Sequence, residues 1–399
     1  MVSGHVEWRN GRPSLVIDRG IGPDGKRDRD RLGPRRLKEV GLPIPRSDKE
    51  AEALLRKILV HIDEGTYVEP SSETVASFLA RWLRLAAPGR RPSTMRRYRV
   101  NIERHVVPAL GQRRLAAVTN LQVSELYAAL IEGGLAASTV RGVHRLLRLA
   151  FGDAVRWGLL ARNPTDGASL PMAEERERPA LTPDRARRMM DQLCGHRDEL
   201  AVALGLYLGL RRSEVLGLRR EDVDLERAVL QVRRGVTRLP NEPPVLGPVK
   251  TKSGQRLLPM PAGLVEIARR ALREQAERRL AAGPAYHDQG LLVCAEDGSP
   301  LAPDSLTARF RVISRRLGLG ITFHGLRHSC ASFLLAQKVP PKVVQHILGH
   351  SSIRITMDLY AHLMPGSTAE AAVAMDQALG HRMGTDGPPG SRAARSRRR

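Results

Sequence analysis

Hydrophobic and polar positions change their period several times along the chain. Residues 1–46 alternate short apolar runs with Gly, Pro and charged turns, which predicts a small antiparallel sheet. Apolar residues then recur at helical spacing after Ser47, which precedes Glu50 by three residues as in a capping box. The N-terminal region, residues 1–66, is therefore predicted to be a sheet followed by one helix.

The next region, residues 73–170, keeps a helical period almost throughout. Its predicted helices run through VASFLARWL, through STMRRYRVNIERHV, from a Thr119/Gln122 capping box, and over residues 138–157. Stretches rich in Pro, Gly and charge flank these helices. One begins at Gly65 and the other at Asn163. Such stretches predict linkers, so we expect a compact helical domain between two of them.

The last large region, residues 178–385, mixes helical runs with two strand-like runs at Val229–Val232 and at residues 256–260. A Gly-containing connection between the two runs predicts a hairpin. Residues 386–399 are too polar and too basic to fold alone and predict a disordered basic tail. The predicted fold class is multidomain and mainly α with small antiparallel sheets, with one helical domain and one mixed α/β domain.

The positive charge narrows the class of partner. The formal net charge is +23, and 57 of the 65 basic residues are Arg. Such an excess favours a polyanion, and nucleic acid first, although an arginine-rich composition without a binding role is the alternative. Residues 73–170 hold 15 Arg against six acidic residues. We expect contacts to the DNA backbone there, and the candidates are Arg90, Arg91, Arg96, Arg97 and Arg99.

The location of the protein is predicted from its apolar runs and cysteines. The longest apolar run, residues 200–210, is far shorter than the ~20 residues that a membrane span needs. The opening residues lack the apolar core of a signal peptide. Three widely spaced cysteines with no Cys-x-x-Cys pattern predict buried thiols rather than disulfides or a zinc module. We expect a cytoplasmic, DNA-associated protein with no membrane partner.

Candidate chemistry begins with two segments in the last region. In GLRRSE, Arg211 stands where a helix begins and Glu214 lies one turn on, although a structural ion pair would look the same. In VKTKSG, Lys250 is placed on or near the hairpin connection, with Lys252 two residues away. Exposed lysines on turns are common, but the chain has no Lys between Lys57 and Lys250, and this scarcity raises the odds of a chemical role, because a Lys can give up a proton and an Arg cannot readily do so.

Two further segments carry histidines and a tyrosine. In HGLRH, His324 and Arg327 share one face of a predicted helix. In LGHSSI, Gly349 suits the end of a short helix, which leaves His350 on the loop that follows. Tyr360 falls on the next predicted helix, where simple packing with its apolar stripe is the alternative to a chemical role.

The histidines also allow a metal site. His324 with His328, and His346 with His350, stand four residues apart and could be metal ligands. No HExxH occurs and no carboxylate accompanies either pair, so we expect no metal.

Taken in order, GLRRSE, the KT of VKTKSG, HGLRH, LGHSSI and the Tyr of MDLYAHL resemble the catalytic signature of the tyrosine recombinases, in the phage-integrase branch. The resemblance covers residues 178–380. The helical region before it is similar to the core-binding domain of that family. Residues 1–66 resemble its arm-type DNA-binding domain, although residues 1–70 hold 14 basic against 12 acidic residues, which disfavours DNA binding there.

The resemblance implies a role for each candidate. It places Arg211, Lys250, His324, Arg327 and His350 around the scissile phosphate, Tyr360 as the nucleophile and Glu214 as the partner of Arg211. The implied protein is a site-specific recombinase that cuts and rejoins duplex DNA through a 3′-phosphotyrosyl intermediate, without metal or cofactor, to integrate or excise a phage or mobile element. The implied partners are double-stranded DNA, a homotetramer on synapsed sites and an accessory directionality or DNA-bending factor.

Three alternatives stay open at this point. A type IB topoisomerase would use nearly the same residues to relax DNA. A non-catalytic DNA-binding protein would explain the charge but not the retained Tyr360 and Lys250. A metallohydrolase would be sensitive to EDTA.

Overall fold

The computed structural model of the chain describes residues 2–21, 25–39, 42–63, 71–172, 180–238, 242–249, 252–357, 373 and 375–379. The predicted nucleophile Tyr360, the predicted Lys250, the side chain of Lys252 and the predicted tail, residues 386–399, lie outside this description. The chain divides into two compact units, Met1–Arg176 and Glu177–Arg399.

The first unit begins with the predicted antiparallel sheet. Its strands, in spatial order, are β1 (Ser3–Arg9), β2 (Arg12–Ile21) and β3 (Arg27–Leu32). Asn10 and Gly11 join β1 to β2 with φ of 50° and 69°, as a two-residue type I′ turn requires. Two helices follow, α1 (Pro34–Glu39) and α2 (Asp48–Asp63), and apolar residues of α2 form one small core with those of the sheet.

A helical bundle completes the first unit, as the 3.6-residue period predicts. Its elements are α3 (Val75–Ala86), α4 (Pro92–Asn101), a π-helical turn (Ile102–Val106), α5 (Val107–Leu110), α6 (Asn120–Glu132) and α7 (Ala137–Arg156). The capping box is present: the amide of Gln122 donates to Thr119 Oγ1 at 3.3 Å and the amide of Thr119 donates to Gln122 Oε1 at 3.2 Å. Trp82 is buried in the core, where its Nε1 donates to Asp153 at 2.7 Å.

The segment after the bundle is not a free linker throughout. Asn163 Nδ2 donates to the carbonyl oxygen of Arg148 at 3.0 Å, and the amide of Ser169 donates to the hydroxyl of Ser124 at 3.0 Å. The predicted linker is therefore wrong for residues 163–169. Pro and Gly mark turns whether or not the turn packs against a neighbour, so composition alone cannot separate the two cases.

The second unit is mixed α/β. Its helices are α8 (Pro183–Gln192), α9 (Glu199–Tyr207), α10 (Arg212–Gly217), α11 (Ala262–Ala282), α12 (Pro303–Arg316), α13 (Phe323–Ala336) and α14 (Pro341–Leu348). Its strands are β4 (Val223–Asp224), β5 (Val229–Val232), β6 (Arg234–Thr237), β7 (Val245–Pro248) and β8 (Arg256–Pro259). Helix α9 packs against α11 and α13 and is buried on all sides except at its last residue, as its continuous apolar run requires.

The connection from β5 to β8 corrects a prediction. The two strands pair antiparallel, but the segment between them is not a simple turn, because β6 and β7 form a separate two-stranded sheet within it. Strand β6 lies directly against α10: a Cβ on Gly217 would meet the Cα of Gly235 at 2.6 Å. The sequence shows two strands and a glycine, and it does not show this backbone contact.

The three cysteines differ in burial. All three cysteines are free thiols; Cys330 is buried and Cys294 partly buried, whereas Cys194 is exposed, so the prediction of burial is wrong there. None of the helices in the described ranges is both long and apolar enough to cross a membrane.

Candidate active site

Arg211 is fixed at the start of α10. Its backbone amide donates to Glu214 Oε2 at 3.0 Å and its Nη1 donates to Glu214 Oε1 at 2.6 Å. The same guanidinium reaches across the unit, because Nη2 donates to the carbonyl oxygen of Gly349 at 3.0 Å. Arg211 therefore joins the beginning of α10 to the end of α14, and about a third of its side chain (36%) stays exposed.

Glu214 has a second cationic partner that the sequence analysis missed. Arg256 Nη2 donates to Glu214 Oε2 at 2.9 Å, and both side chains are buried. Burial alone would raise the pKa of Glu214, but the charge and hydrogen bond of Arg256, together with the charge of Arg211, hold it below its usual value. One signal could have found Arg256: it stands two residues from Leu258 and shares the buried face of β8 with it, where an unpaired charge would be costly.

Arg327 is deeply buried. It lies on α13 with an exposed fraction of 3%, and its Nη1 donates to the carbonyl oxygen of Gly209 at 2.7 Å. Its Nη2 is buried with no hydrogen-bond partner among the described residues. Burial, followed by the charge of Arg211, lowers the pKa of Arg327 to about 9, so the group stays charged at neutral pH. A buried, charged donor without an acceptor is suited to an anion.

Two glycines let these segments approach one another. Gly209 has a φ of +60°, and a Cβ there would lie 2.3 Å from Leu348 Cδ2 and 3.3 Å from Cys330 Sγ. Gly349 has a φ of +63°, and a Cβ there would lie 2.8 Å from the carbonyl oxygen of Ser253. Both positions combine a left-handed backbone with close packing, so the side chain of any other residue would push the segments apart.

His350 lies on the loop after α14, beside the arginines. Its Nδ1 is 3.0 Å from Oγ1 of Thr356, a buried residue that the sequence analysis did not single out. Burial, then the charges of Arg327 and Arg211 and the nearby His328 and His324, lowers the pKa of His350 to about 4. The imidazole is therefore neutral at physiological pH.

The remaining predicted residues are only partly placed. His324 is exposed on α13, and its ring meets that of His328 edge to face with centroids 4.8 Å apart. Residues 354–357 are helical, and the hydroxyl of Ser352 accepts the amide of Arg354 at 3.3 Å, so a helix begins shortly before Tyr360. Within the described ranges, no three His, Cys, Asp or Glu side chains form a group that could hold a metal ion.

The candidate DNA-contact arginines of the first unit divide into two groups. Arg96, Arg97 and Arg99 are exposed on α4, a helix with no buried residue. Arg90 is partly engaged within the bundle, because its Nη1 donates to the carbonyl oxygen of Ala86 at 2.6 Å and its guanidinium lies 5.8 Å from the centre of the Trp82 ring. Arg91 is the exposed residue before α4.

We expect His350 in the DNA-free protein to titrate near pH 4, well below the ~6.5 of an unperturbed histidine. NMR of ring-labelled histidine, assigned by comparison with His350→Gln, measures this midpoint. The unfolded chain binds the proton near pH ~6.5 and the folded chain only near 4, so this group lowers stability as the pH falls through that window. A midpoint of 6.5 or above would contradict the prediction.

Comparison with known proteins identifies the family of the chain. Residues 179–366 match the phage integrase family, and residues 74–131 match the N-terminal SAM-like domain of phage integrases. A tyrosine recombinase XerC-like protein of Caldanaerobacter subterraneus subsp. tengcongensis is 27% identical, over 82% of this chain and 88% of its own length. The tyrosine recombinase XerC of Pseudomonas syringae pv. syringae is 31% identical, over 57% of this chain and 67% of its own length.

Solved structures share the fold. The Tn1549 transposon integrase in complex with a circular intermediate DNA superposes with a TM-score of 0.66 at 22% identity, over 76% of this chain and 99% of that one. A lambda integrase tetramer bound to a Holliday junction gives a TM-score of 0.54 at 18% identity, over 89% of this chain and 94% of that one. The chain belongs to the phage integrase family of tyrosine recombinases, and it is a site-specific DNA recombinase, that is, a DNA strand transferase.

Proposed function

We propose that this recombinase cuts and rejoins duplex DNA through a 3′-phosphotyrosyl link to Tyr360, and so integrates or excises a phage or mobile element. The observation that carries the proposal is the convergence of Arg211, the buried Arg327 and the neutral His350, because these groups suit one phosphodiester. Two guanidinium groups can bind its non-bridging oxygens and stay charged at neutral pH. They supply the charge stabilisation that metal ions supply in other enzymes, so the proposed reaction needs no metal or nucleotide cofactor.

The contacts of His350 suggest how it takes part. If the Thr356 hydroxyl donates to Nδ1, the hydrogen of the neutral ring is on Nε2, which can then donate to a phosphate oxygen. His324, exposed on the helix that carries Arg327, is the proposed base that assists deprotonation of Tyr360.

The proposed bond changes balance within the DNA and the protein. The Tyr360 oxygen bonds to phosphorus, the bond from phosphorus to the 5′-oxygen breaks, and the lysine at position 250 gives that oxygen its proton. The new link keeps the energy of the phosphodiester. A 5′-hydroxyl from a second duplex can therefore reverse the step, which completes strand exchange.

The proposed substrate is double-stranded DNA, and the proposed assembly is a homotetramer on two synapsed sites. Exchange of two duplexes needs four strand cleavages, one for each Tyr360, and the lambda integrase tetramer on a Holliday junction supports the analogy. Within the chain we propose residues 178–385 as the catalytic domain, residues 73–170 as the core-binding domain and residues 1–66 as an arm-type domain. An accessory directionality or DNA-bending factor is a further proposed partner.

Tyr360→Phe should bind its DNA site almost normally but form no covalent complex, because the change removes one hydroxyl and leaves the cationic groups in place. Trapping on a nicked suicide substrate, followed by denaturing gel electrophoresis, measures the SDS-stable complex. Tyr207→Phe, in the same unit, is the matched control and should still form it. A covalent complex with Tyr360→Phe would show that the nucleophile is another tyrosine.

Recombination should continue in excess EDTA, because the two arginines supply the charge that stabilises the transition state. The assay is conversion of paired attachment sites with and without the chelator. Loss of activity that Zn²⁺ or Mg²⁺ restores would assign the histidine pairs as metal ligands instead.

Lys250→Ala should slow cleavage by about 10² to 10⁴-fold, the usual contribution of a positioned proton donor, whereas Lys252→Ala should lose little. In a substrate with sulfur at the 5′ bridging position, the leaving group is a thiol of pKa about 8.5, which departs as a thiolate without a proton. This substrate should therefore restore cleavage by Lys250→Ala. If Lys252→Ala were instead the slowed variant that the sulfur substrate rescues, Lys252 would be the proton donor in place of Lys250. If neither variant is rescued, a histidine protonates the leaving oxygen.

A further inference from the structure

The guanidinium of Arg256 binds two distant segments of the second unit and the turn just before its own strand. Its Nη2 donates to Glu214 Oε2 at 2.9 Å, its Nε donates to the carbonyl oxygen of Ile347 at 2.7 Å, and its Nη1 donates to the carbonyl oxygen of Gly254 at 2.9 Å. Every nitrogen of the group is therefore used. The side chain is fully buried, so it does not touch DNA.

Each of the three contacts lies two to four residues from a proposed catalytic residue in the sequence. Glu214 holds both the backbone and the side chain of Arg211. Ile347 lies near the end of α14, three residues before His350. Gly254 ends the 3₁₀ turn Lys252–Gly254, which directly follows the segment that carries Lys250. One planar group thus connects the segments that carry Arg211 and His350 with the turn that follows Lys250 in the sequence.

We propose that Arg256 is a positioning residue that holds the turn Lys252–Gly254 in register with Arg211 and His350, so that a lysine of this segment reaches the leaving 5′-oxygen. The inference rests on the proposed function, and it does not depend on which of the two lysines is the acid. A guanidinium presents its donors in a fixed plane, whereas the ammonium of a Lys is a point charge on a flexible stem. The substitution Arg256→Lys keeps the charge beside Glu214 but cannot reproduce the three bonds.

The proposal predicts a defect in one chemical step. A displaced lysine slows protonation of the leaving oxygen, and displacement by about 1 Å can cost ~10²-fold in rate. A leaving sulfur needs no proton, so the same displacement matters much less on that substrate. A purely structural role would reduce the amount of folded protein and lower both rates by one common factor.

The experiment compares single-turnover cleavage of oxygen and 5′-sulfur substrates by the full chain carrying Arg256→Lys. We expect a loss of ~10²-fold on oxygen and of no more than ~10-fold on sulfur, with binding to the DNA site kept. The ratio of the two rates is independent of the folded fraction, and Arg256→Gln is the second variant if Arg256→Lys gives no active protein. Arg270→Lys is the matched control: Arg270 binds the buried Glu199 in the same unit, outside these segments, and its change should leave the ratio unaltered.

Equal loss on both substrates, or no loss on oxygen, would overturn the inference. The inference would also be overturned if the sulfur substrate rescued Arg256→Lys while Lys250→Ala and Lys252→Ala both cleaved the oxygen substrate at the normal rate. No lysine would then need to be positioned. Failure of the proposed function would give a different result. If the proposed function is wrong, the unmodified chain forms no covalent complex with either substrate.

Discussion

A single buried carboxylate, that of Glu214, binds the arginines around which the proposed site of the second unit is built. Glu214 lies between Arg211 and Arg256, and each of these arginines also donates to carbonyl oxygens at the end of α14. Removing one member of such a buried pair leaves an uncompensated charge and costs about 3–5 kcal/mol. The three side chains are therefore interdependent, and the start of α10, the start of β8 and the end of α14 cannot shift separately.

Backbone carbonyls aim the guanidinium groups in this arrangement. Gly209 presents its carbonyl oxygen to Arg327, and Gly349 presents its own to Arg211. Both glycines have positive φ and contacts that leave no space for a Cβ. The proposed phosphate site needs its cations in place before the substrate binds, because groups that are already ordered need no reorganisation at the moment of reaction. The two glycines provide this order through the backbone.

Much of the fold follows from local sequence, and much of the site does not. The Thr119 capping box and the end of α14 at Gly349 each depend on a few neighbouring residues, and the structure has both as predicted. The bonds from Arg256 to Glu214 and Ile347 instead span 42 and 91 residues. No local pattern encodes such a contact. The β6–β7 sheet was missed for the same reason, since it depends on packing against α10 rather than on its own short strands.

The imbalance of charge at the site connects its structure to its chemistry. Three arginines, at positions 211, 256 and 327, surround one carboxylate, Glu214. The excess positive charge, added to burial, lowers the pKa of Arg327 and of His350, because the arginines of the site repel further positive charge. A phosphodiester bound as proposed relieves part of this repulsion. In the proposed reaction, negative charge gathers on the non-bridging oxygens as the nucleophile attacks, so the transition state relieves more of the repulsion than the bound substrate does. Stabilisation that is greater in the transition state than in the bound substrate is what accelerates the reaction.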